Sequence, residues 1–359
     1  MAVRTLIRHF QYLWSSFMVR FQLMLDCAVQ TAGPMYIVLA FGLISAVIYL
    51  FFTVILPSVH NIFSWQGVLQ ILISTWLIFN VFFNYLWCIY TDPGAPPTGF
   101  DPGADLSKYE SATSQYRWCK RCRRPKPPMT HHCHICKRCI LKMDHHCPWM
   151  HNCIGFYNYR YFFLFLVYMW AGCVYTTLMA SIPLFRTSVF IWGMYKDSEE
   201  FSYLEPGSFN AILFAFVLAL AVLVSMSFLL GWHIYLVLTA QTTIDFYANR
   251  QRRREGRRIG QVWENEFDMG ALQNFRNTFD LNDRSWWLVF LFPSRRALKG
   301  DGIHFPAKQD RPDVENLSNG STQLHHIQPN HSTMGSVSRP STSLQRALAD
   351  ESMRESEMV

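Results

Sequence analysis

Charged side chains are scarce in this chain of 359 residues: Asp, Glu, Lys and Arg make up only 16%, whereas half of the residues are apolar. A soluble domain of average composition carries roughly a quarter charged residues. The shortage is concentrated, because no charged residue occurs within 27–91, 161–185 or 206–244. A helix of about 20 apolar residues crosses the hydrocarbon core of a bilayer. The composition therefore excludes a soluble two-domain protein.

Cysteines are absent from most of the chain, since seven of the ten lie between Cys119 and Cys153 and none follows Cys173. Secreted disulfide scaffolds are short chains whose cysteines are dense throughout. That class is excluded as well.

The charge-free stretches predict an α-helical polytopic membrane protein with four transmembrane helices. The first stretch is too long for one span, and Pro57, His60 and Asn61 divide it. The predicted spans are 35–56, 68–90, 161–185 (closing at Pro183) and 209–238.

Lysine and arginine are nearly absent from one set of loops, and this asymmetry predicts the orientation. The 57–67 turn contains neither residue, and the 186–208 loop contains only Arg186 and Lys196. The N-terminus, the 91–160 loop and the tail hold all the others. Positively charged loops face the cytosol, so both termini and the 91–160 loop are predicted to be cytosolic. Spans of about 22 residues favour the thinner membranes of the endoplasmic reticulum or Golgi.

The predicted organisation has six parts. The first is an N-terminal cytosolic segment, in which residues 1–30 are predicted to be amphipathic and to lie at the membrane interface. The parts are 1–34 (N-terminal segment), 35–90 (helices 1 and 2), 91–160 (cytosolic cysteine-rich domain), 161–238 (helices 3 and 4), 239–309 (cytosolic C-terminal domain with an amphipathic helix over 275–292) and 310–359 (disordered tail). The net charge of +7 lies mostly close to the membrane. The lipid bilayer, with its anionic headgroups, is therefore the predicted partner, and no nucleic acid is expected.

The cysteine-rich loop indicates metal binding, because cytosolic thiols stay reduced. It holds seven cysteines and six histidines, with two-residue gaps between Cys119 and Cys122 and along Cys133–Cys139. Such gaps let a tight turn present two thiolates to one tetrahedral zinc ion. Two closed zinc sites need eight donors. Seven cysteines with one histidine, or six with two, supply that number, and the spacing alone does not decide which thiol stays free.

The run Asp144-His145-His146-Cys147-Pro148-Trp149 resembles the DHHC family of protein S-acyltransferases, or palmitoyltransferases. Three further segments are similar to motifs of that family: Thr91–Gly94 after the second span, Gln241–Asp245 after the fourth, and Asn265–Phe279. Asp245 stands where the family has glutamate. Details of the first loop and the tail resemble the branch numbered sixteen in vertebrates.

The resemblance implies that a palmitoyl or other long-chain acyl group moves from acyl-CoA to cysteine thiols of membrane-associated proteins. By family role, Cys147 is the nucleophile that carries the acyl group. His145 accepts its proton, and Asp144 orients that imidazole. Trp149 is expected at the mouth of a cavity for the acyl chain, while Thr243 and Asp245 are expected to dock the tail against the catalytic loop.

The resemblance also implies two structural zinc ions with interleaved ligands, a division that leaves Cys147 free. One set is Cys119, Cys122, His132 and Cys139, and the other is Cys133, Cys136, His146 and Cys153. Had a donor been missing, an open catalytic metal site would compete as an explanation.

Three other classes compete with this interpretation. Interleaved Cys/His pairs also describe the RING domain of a membrane-anchored ubiquitin ligase, but no Cys-x2-Cys pair follows Cys139. A channel or transporter would place charged residues inside its spans, and His233 is the one titratable group that stands out there. A catalytically inactive membrane scaffold with a zinc-binding interaction loop is the remaining alternative, and the presence of Asp144, His145 and Cys147 argues against it.

Overall fold

The computed structural model describes residues 2–100, 117–191, 206–282, 286–295 and 298–308. The predicted tail 310–359 and part of the 186–208 loop lie outside the described residues. The helices are α1 (Ala2–Leu50), a π-helical turn (Phe51–Ile55), α2 (Leu56–Val59), α3 (Trp65–Tyr90), α4 (Tyr159–Ile191), α5 (Pro206–Leu238), α6 (Thr243–Arg258), α7 (Ala271–Phe279) and α8 (Trp286–Leu291).

Four helices are long and apolar enough to cross a membrane, namely Ser16–Val59, Trp65–Tyr90, Tyr159–Thr187 and Gly207–Leu238. The cysteine-rich segment lies between the second and the third of them. The predicted fold class is therefore confirmed.

The first helix differs from the prediction of a span that begins at Met35 after a separate interfacial segment. It runs without a break from Ala2 and contains Pro34. The 49 residues of α1 make a helix roughly 74 Å long, more than twice the thickness of the hydrocarbon core. A proline removes one helical hydrogen bond, and α1 tolerates that loss at Pro34. The helix nevertheless continues through both Gly33 and Pro34, within an apolar run that extends to Leu50.

Two other predicted boundaries are wrong. The third span does not close at Pro183, which lies inside α4. An apolar segment in lipid must satisfy its backbone groups internally, and this requirement favours continuing the helix past one lost bond. The amphipathic helix over 275–292 is instead two helices, because Asp280 adopts a left-handed conformation (φ 53°) that ends α7.

The apolar core lies where α4 packs between α3 and α5. Tyr85 of α3 stacks on Phe165 of α4 with ring centroids 5.0 Å apart, and Phe162 and Leu166 are buried beside them. Cys147 belongs to the same cluster. The cysteine-rich segment is thus joined to the core of the helix bundle.

The cysteine-rich segment contains three small antiparallel hairpins. Strand β1 (Trp118–Cys119) pairs with β2 (Arg124–Pro125), β3 (His131–Cys133) with β4 (Arg138–Ile140), and β5 (His145–Cys147) with β6 (Asn152–Ile154). An isolated two-stranded hairpin is marginally stable at best. These hairpins therefore depend on the groups that join them to one another and to the helices.

Two side-chain amides, those of half-buried Asn152 and buried Asn158, join the third hairpin to the end of α3. The last carbonyls of a helix have no intrahelical partner. The side-chain amide of Asn152 donates to two of them, Cys88 and Ile89 (3.3 and 3.1 Å), and to the carbonyl of the capping residue Thr91 (3.0 Å). Asn158 donates to the Cys153 carbonyl (2.7 Å) and accepts from the amide of Gly155 (2.8 Å).

Gly155 provides a steric test of this junction. A Cβ at Gly155 would lie 2.8 Å from the Leu141 carbonyl and 3.0 Å from the Pro93 carbonyl, both of them backbone atoms. We expect Gly155→Ala to destabilise the fold by about 1–3 kcal/mol, the usual cost of overpacking. Gly172→Ala is the matched control, since a Cβ there meets nothing within 4 Å. Each variant is heated in detergent, and unfolding is recorded as the loss of monodisperse protein. Equal behaviour of the two variants would contradict this account.

Candidate metal centres and active site

The first cluster of thiols and imidazole gathers four of the predicted ligands. The donor atoms of Cys119, Cys122, His132 and Cys139 all lie within 4.8 Å of one another. Nδ1 of His132 is 3.6, 3.2 and 3.9 Å from the three sulfur atoms, in chain order. His132 and Cys139 are brought together because they are cross-strand partners in the β3–β4 hairpin.

The second cluster repeats this arrangement with Cys133, Cys136, His146 and Cys153. Nδ1 of His146 is 3.7, 3.4 and 3.6 Å from the three sulfur atoms, in chain order. His146 and Cys153 are again cross-strand partners, here in the β5–β6 hairpin. The two clusters interleave along the chain, as the family resemblance predicts.

Each Cys-x2-Cys turn has the same local structure. The amide of Cys122 donates to the sulfur of Cys119 (3.3 Å), and the amide of Cys136 donates to the sulfur of Cys133 (3.2 Å). The residue after the second cysteine is left-handed in both turns, with φ 51° at Arg123 and 55° at Lys137. This turn aims both thiols of a pair at one point.

The donor spacing fits zinc. A tetrahedral ion bound at about 2.3 Å holds its sulfur ligands roughly 3.7 Å apart. Sulfur to sulfur distances are 3.6 Å between Cys122 and Cys139 and 3.4 Å between Cys136 and Cys153. The chain therefore contains two Cys3His clusters consistent with zinc.

Strand β5 separates the zinc cluster from a second group of side chains. Successive residues of a strand point to opposite faces, so His146 reaches the second cluster while His145 lies on the other face. Nδ1 of His145 is 2.6 Å from Oδ2 of the buried Asp144. Burial alone lowers the pKa of His145, but the hydrogen bond to Asp144 and the neighbouring Cys147 thiol outweigh it and raise the pKa to about 9.

Asp144 is held from its other side by the first residue of α6. The Thr243 amide donates to Oδ1 (2.8 Å), and its hydroxyl donates to Oδ2 (3.0 Å). Burial alone raises the pKa of Asp144, yet the hydrogen bond and charge of His145 dominate and lower it. Thr243, expected only to dock the tail, thus contacts the predicted catalytic carboxylate directly.

Asp245 closes a capping box at the start of α6, and its carboxylate also reaches the cysteine-rich segment. Its amide donates to the Thr242 hydroxyl oxygen (3.1 Å), and its carboxylate accepts from the Thr242 amide (3.3 Å). The carboxylate also lies 3.9 Å from Nε2 of His131, one of the histidines outside the two clusters. The shorter arm of aspartate is long enough for these contacts.

His233 is a neighbour of the site that sequence reasoning did not identify. It lies on α5 and is almost fully buried, with Nδ1 3.2 Å from the Tyr159 hydroxyl. Its ring centroid is 6.0 Å from that of His145. The donor atoms of Asp144, His145 and His233 come within 4.8 Å of one another. The only sequence signal was a lone histidine in a charge-free span, which favours a satisfied structural role.

Trp149 lies two residues after Cys147, in the short 3-10 helix Pro148–Met150, and contacts the first helix. Its ring centroid is 5.3 Å from that of Tyr36 on α1, and its carbonyl accepts from the Tyr85 hydroxyl (2.8 Å). The side chain is 47% exposed, whereas Cys147 is buried.

Comparison with known proteins gives a consistent picture. A family model described as DHHC palmitoyltransferase matches residues 112–250. The chain is 32% identical to a probable protein S-acyltransferase 16 of Arabidopsis thaliana, covering 67% of this chain and 82% of the relative. It is also 32% identical to the palmitoyltransferase ZDHHC16 of Mus musculus, covering 78% of this chain and 76% of the relative. With the interleaved metal clusters and the Asp144–His145 pair beside Cys147, these matches establish that the chain belongs to the DHHC palmitoyltransferase family.

Proposed function

We propose that this protein is an S-acyltransferase that transfers a palmitoyl or other long-chain acyl group from acyl-CoA to protein cysteine thiols through an acyl-enzyme on Cys147. One observation carries the proposal. Thr243, Asp144 and His145 form a continuous hydrogen-bonded series, and Cys147 lies two residues after His145 in strand β5, on the same face of that strand. This is the arrangement of nucleophile, base and orienting group that activates a thiol.

The proposed reaction has two half-reactions. The Cys147 thiol gives its proton to His145, and the resulting thiolate attacks the thioester carbonyl, so that a new C–S bond forms and the bond to CoA breaks. The proton then passes from His145 to the departing CoA thiolate. An acceptor cysteine attacks the acyl-enzyme in the same way and regenerates Cys147. Asp144 stabilises the imidazolium, and a positioned base of this kind contributes typically about 10²–10⁴ in rate.

Two zinc ions would be held by the two Cys3His clusters. Each set supplies four protein donors, so the ions would have a structural role and leave no position for a substrate. Their contribution, when bound, is to fix the hairpins whose strands carry His145 and Cys147. Asn152 is the cross-strand partner of Cys147, and its hydrogen bond to the Thr91 carbonyl joins this hairpin to the end of α3.

The membrane setting supports the choice of a lipid-like substrate. We place both termini and the cysteine-rich segment in the cytosol, in the endoplasmic reticulum or Golgi membrane, on the distribution of lysine and arginine and on span length. A palmitoyl chain gains about 0.8 kcal/mol for each CH2 removed from water. We propose that Trp149, whose ring contacts Tyr36 of α1, lines the entrance for that chain.

The acyl-enzyme is tested by incubating the purified protein with labelled palmitoyl-CoA and counting bound zinc. We expect hydroxylamine-sensitive label on the wild type, none on Cys147→Ser, and two zinc ions in both. Cys133→Ser should lower the zinc content, because it removes a ligand of a closed site.

Two outcomes would contradict this assignment. Equal labelling of wild type and Cys147→Ser would leave the inactive membrane scaffold as the better explanation. Loss of zinc from Cys147→Ser would make that residue a ligand and would require a different division of the thiols.

Thr243 is proposed as a positioning residue. Thr243→Val removes the hydroxyl that donates to Asp144 and keeps the backbone donor. A hydrogen bond to a charged group contributes about 1.5–3 kcal/mol, so we expect kcat for acyl-enzyme formation to fall by roughly 10- to 100-fold. KM for palmitoyl-CoA should stay unchanged.

Thr243→Ser is the matched control, because serine restores the hydroxyl and should recover most of the rate. If the valine and serine variants lost activity equally, with zinc content intact, the hydroxyl would have no role in positioning Asp144.

A further inference from the structure

Helix α6 presents a row of arginines to a pocket away from the proposed catalytic residues. The pocket has a volume of about 220 Å³. Arg250, Arg253 and Arg257 line one side, and the spacing of three and four residues puts them on one face of the helix. Tyr235 of α5 and Phe246 supply aromatic walls.

The positive charge of the three arginines is not balanced by the other residues that line the pocket. No carboxylate is among the described residues that line it. The side chain of Arg257 folds back along the helix, since Nε donates to the Arg253 carbonyl (3.3 Å). Three guanidinium groups around one pocket repel one another unless an anion lies between them. The planar guanidinium fork matches phosphate oxygens in a bidentate manner.

The floor of the pocket is polar and ordered. Buried Asn249 donates to the side-chain carbonyl of Gln241 (3.1 Å), and Gln241 donates to the Thr239 hydroxyl (2.7 Å). Phe246 packs edge-on against Trp232, with centroids 4.8 Å apart. The floor and the Phe246 wall are therefore fixed before any ligand arrives, which reduces the entropic cost of binding.

The depth of the pocket points to a membrane lipid. Tyr235 lies in the last turn of the apolar helix Gly207–Leu238, so the pocket stands at the level of lipid headgroups. Two turns earlier on the same face, Phe228 is 78% exposed, and at Gly231 a Cβ would meet nothing within 4 Å. This open apolar strip leads along α5 to the pocket and suits the acyl chain of a lipid whose headgroup occupies it.

We propose that this pocket binds the headgroup of an inositol phospholipid with two or more phosphate groups. Three arginines on one face match several phosphates better than the single phosphate of a common phospholipid. The site is separate from the proposed acyl transfer and does not depend on it. The pocket is nevertheless formed by the helix whose first residue, Thr243, holds Asp144.

The test measures binding of a fluorescent short-chain phosphatidylinositol bisphosphate to the full-length protein in detergent by fluorescence polarisation. Wild type should bind it saturably. Arg250→Gln/Arg253→Gln/Arg257→Gln should weaken binding by roughly tenfold or more, because charge-assisted bonds to phosphate are lost.

The matched control is Arg252→Gln/Arg254→Gln/Arg258→Gln, which removes the same charge from residues that do not line the pocket. It should bind as the wild type does. An equal loss in both triple variants, each with unchanged zinc content, would overturn the proposal in favour of general charge attraction. Absence of saturable binding to wild type would overturn it directly.

Competition distinguishes the sources of phosphate. Unlabelled short-chain phosphatidylinositol bisphosphate should displace the probe at lower concentration than inositol bisphosphate without acyl chains. The reason is that its acyl chains contact the apolar strip of α5 and add to the affinity. Displacement by CoA as effective as by the unlabelled lipid would assign the pocket to the acyl donor and overturn the lipid proposal.

Discussion

The arrangement of the site depends on the alternation of side chains along three residues of extended backbone, His145–Cys147. In strand β5 one histidine faces a Cys3His cluster while its neighbours face the helix bundle. A helical turn at this position would place these side chains about 100° apart around one axis and could not divide them between two opposite faces. Pairing with β6 preserves the extended backbone, and the metal cluster that shares His146 and Cys153 closes the hairpin.

The site is then held between two membrane helices and the segment that follows the fourth span. On one side, Asn152 caps the carbonyl end of α3. On the other, the capping box at Thr242 and Asp245 fixes the first turn of α6, and that turn presents Thr243 to Asp144. His233 completes the enclosure from α5. Most of these contacts join residues that are far apart in the sequence. A small movement of one helix relative to another would therefore displace the Asp144–His145 pair.

Helix α6 contributes to two different regions of the structure. Its first residue donates a hydrogen bond to the predicted catalytic carboxylate, and its later turns carry the arginines that line the pocket. Trp232 connects the two regions, because its indole N–H donates to the Thr243 hydroxyl oxygen (3.4 Å) and its ring contacts Phe246. An anion bound among the arginines would therefore stabilise the same helix that positions Asp144.

The sequence by itself determined the class of protein: charge-free stretches predict four spans, and dense Cys and His pairs in a reduced compartment predict two metal clusters, because both signals are local. The resemblance of the Asp144–Trp149 run indicated the family and the division of the ligands. Helix ends were less predictable, because Pro34 and Pro183 break helices in isolation but not within long apolar runs. The contact of Thr243 with Asp144, the approach of His233 to His145 and the arginine pocket were decided by tertiary structure alone. Each brings together residues on different elements, and a pattern along one chain does not record which helix faces pack together.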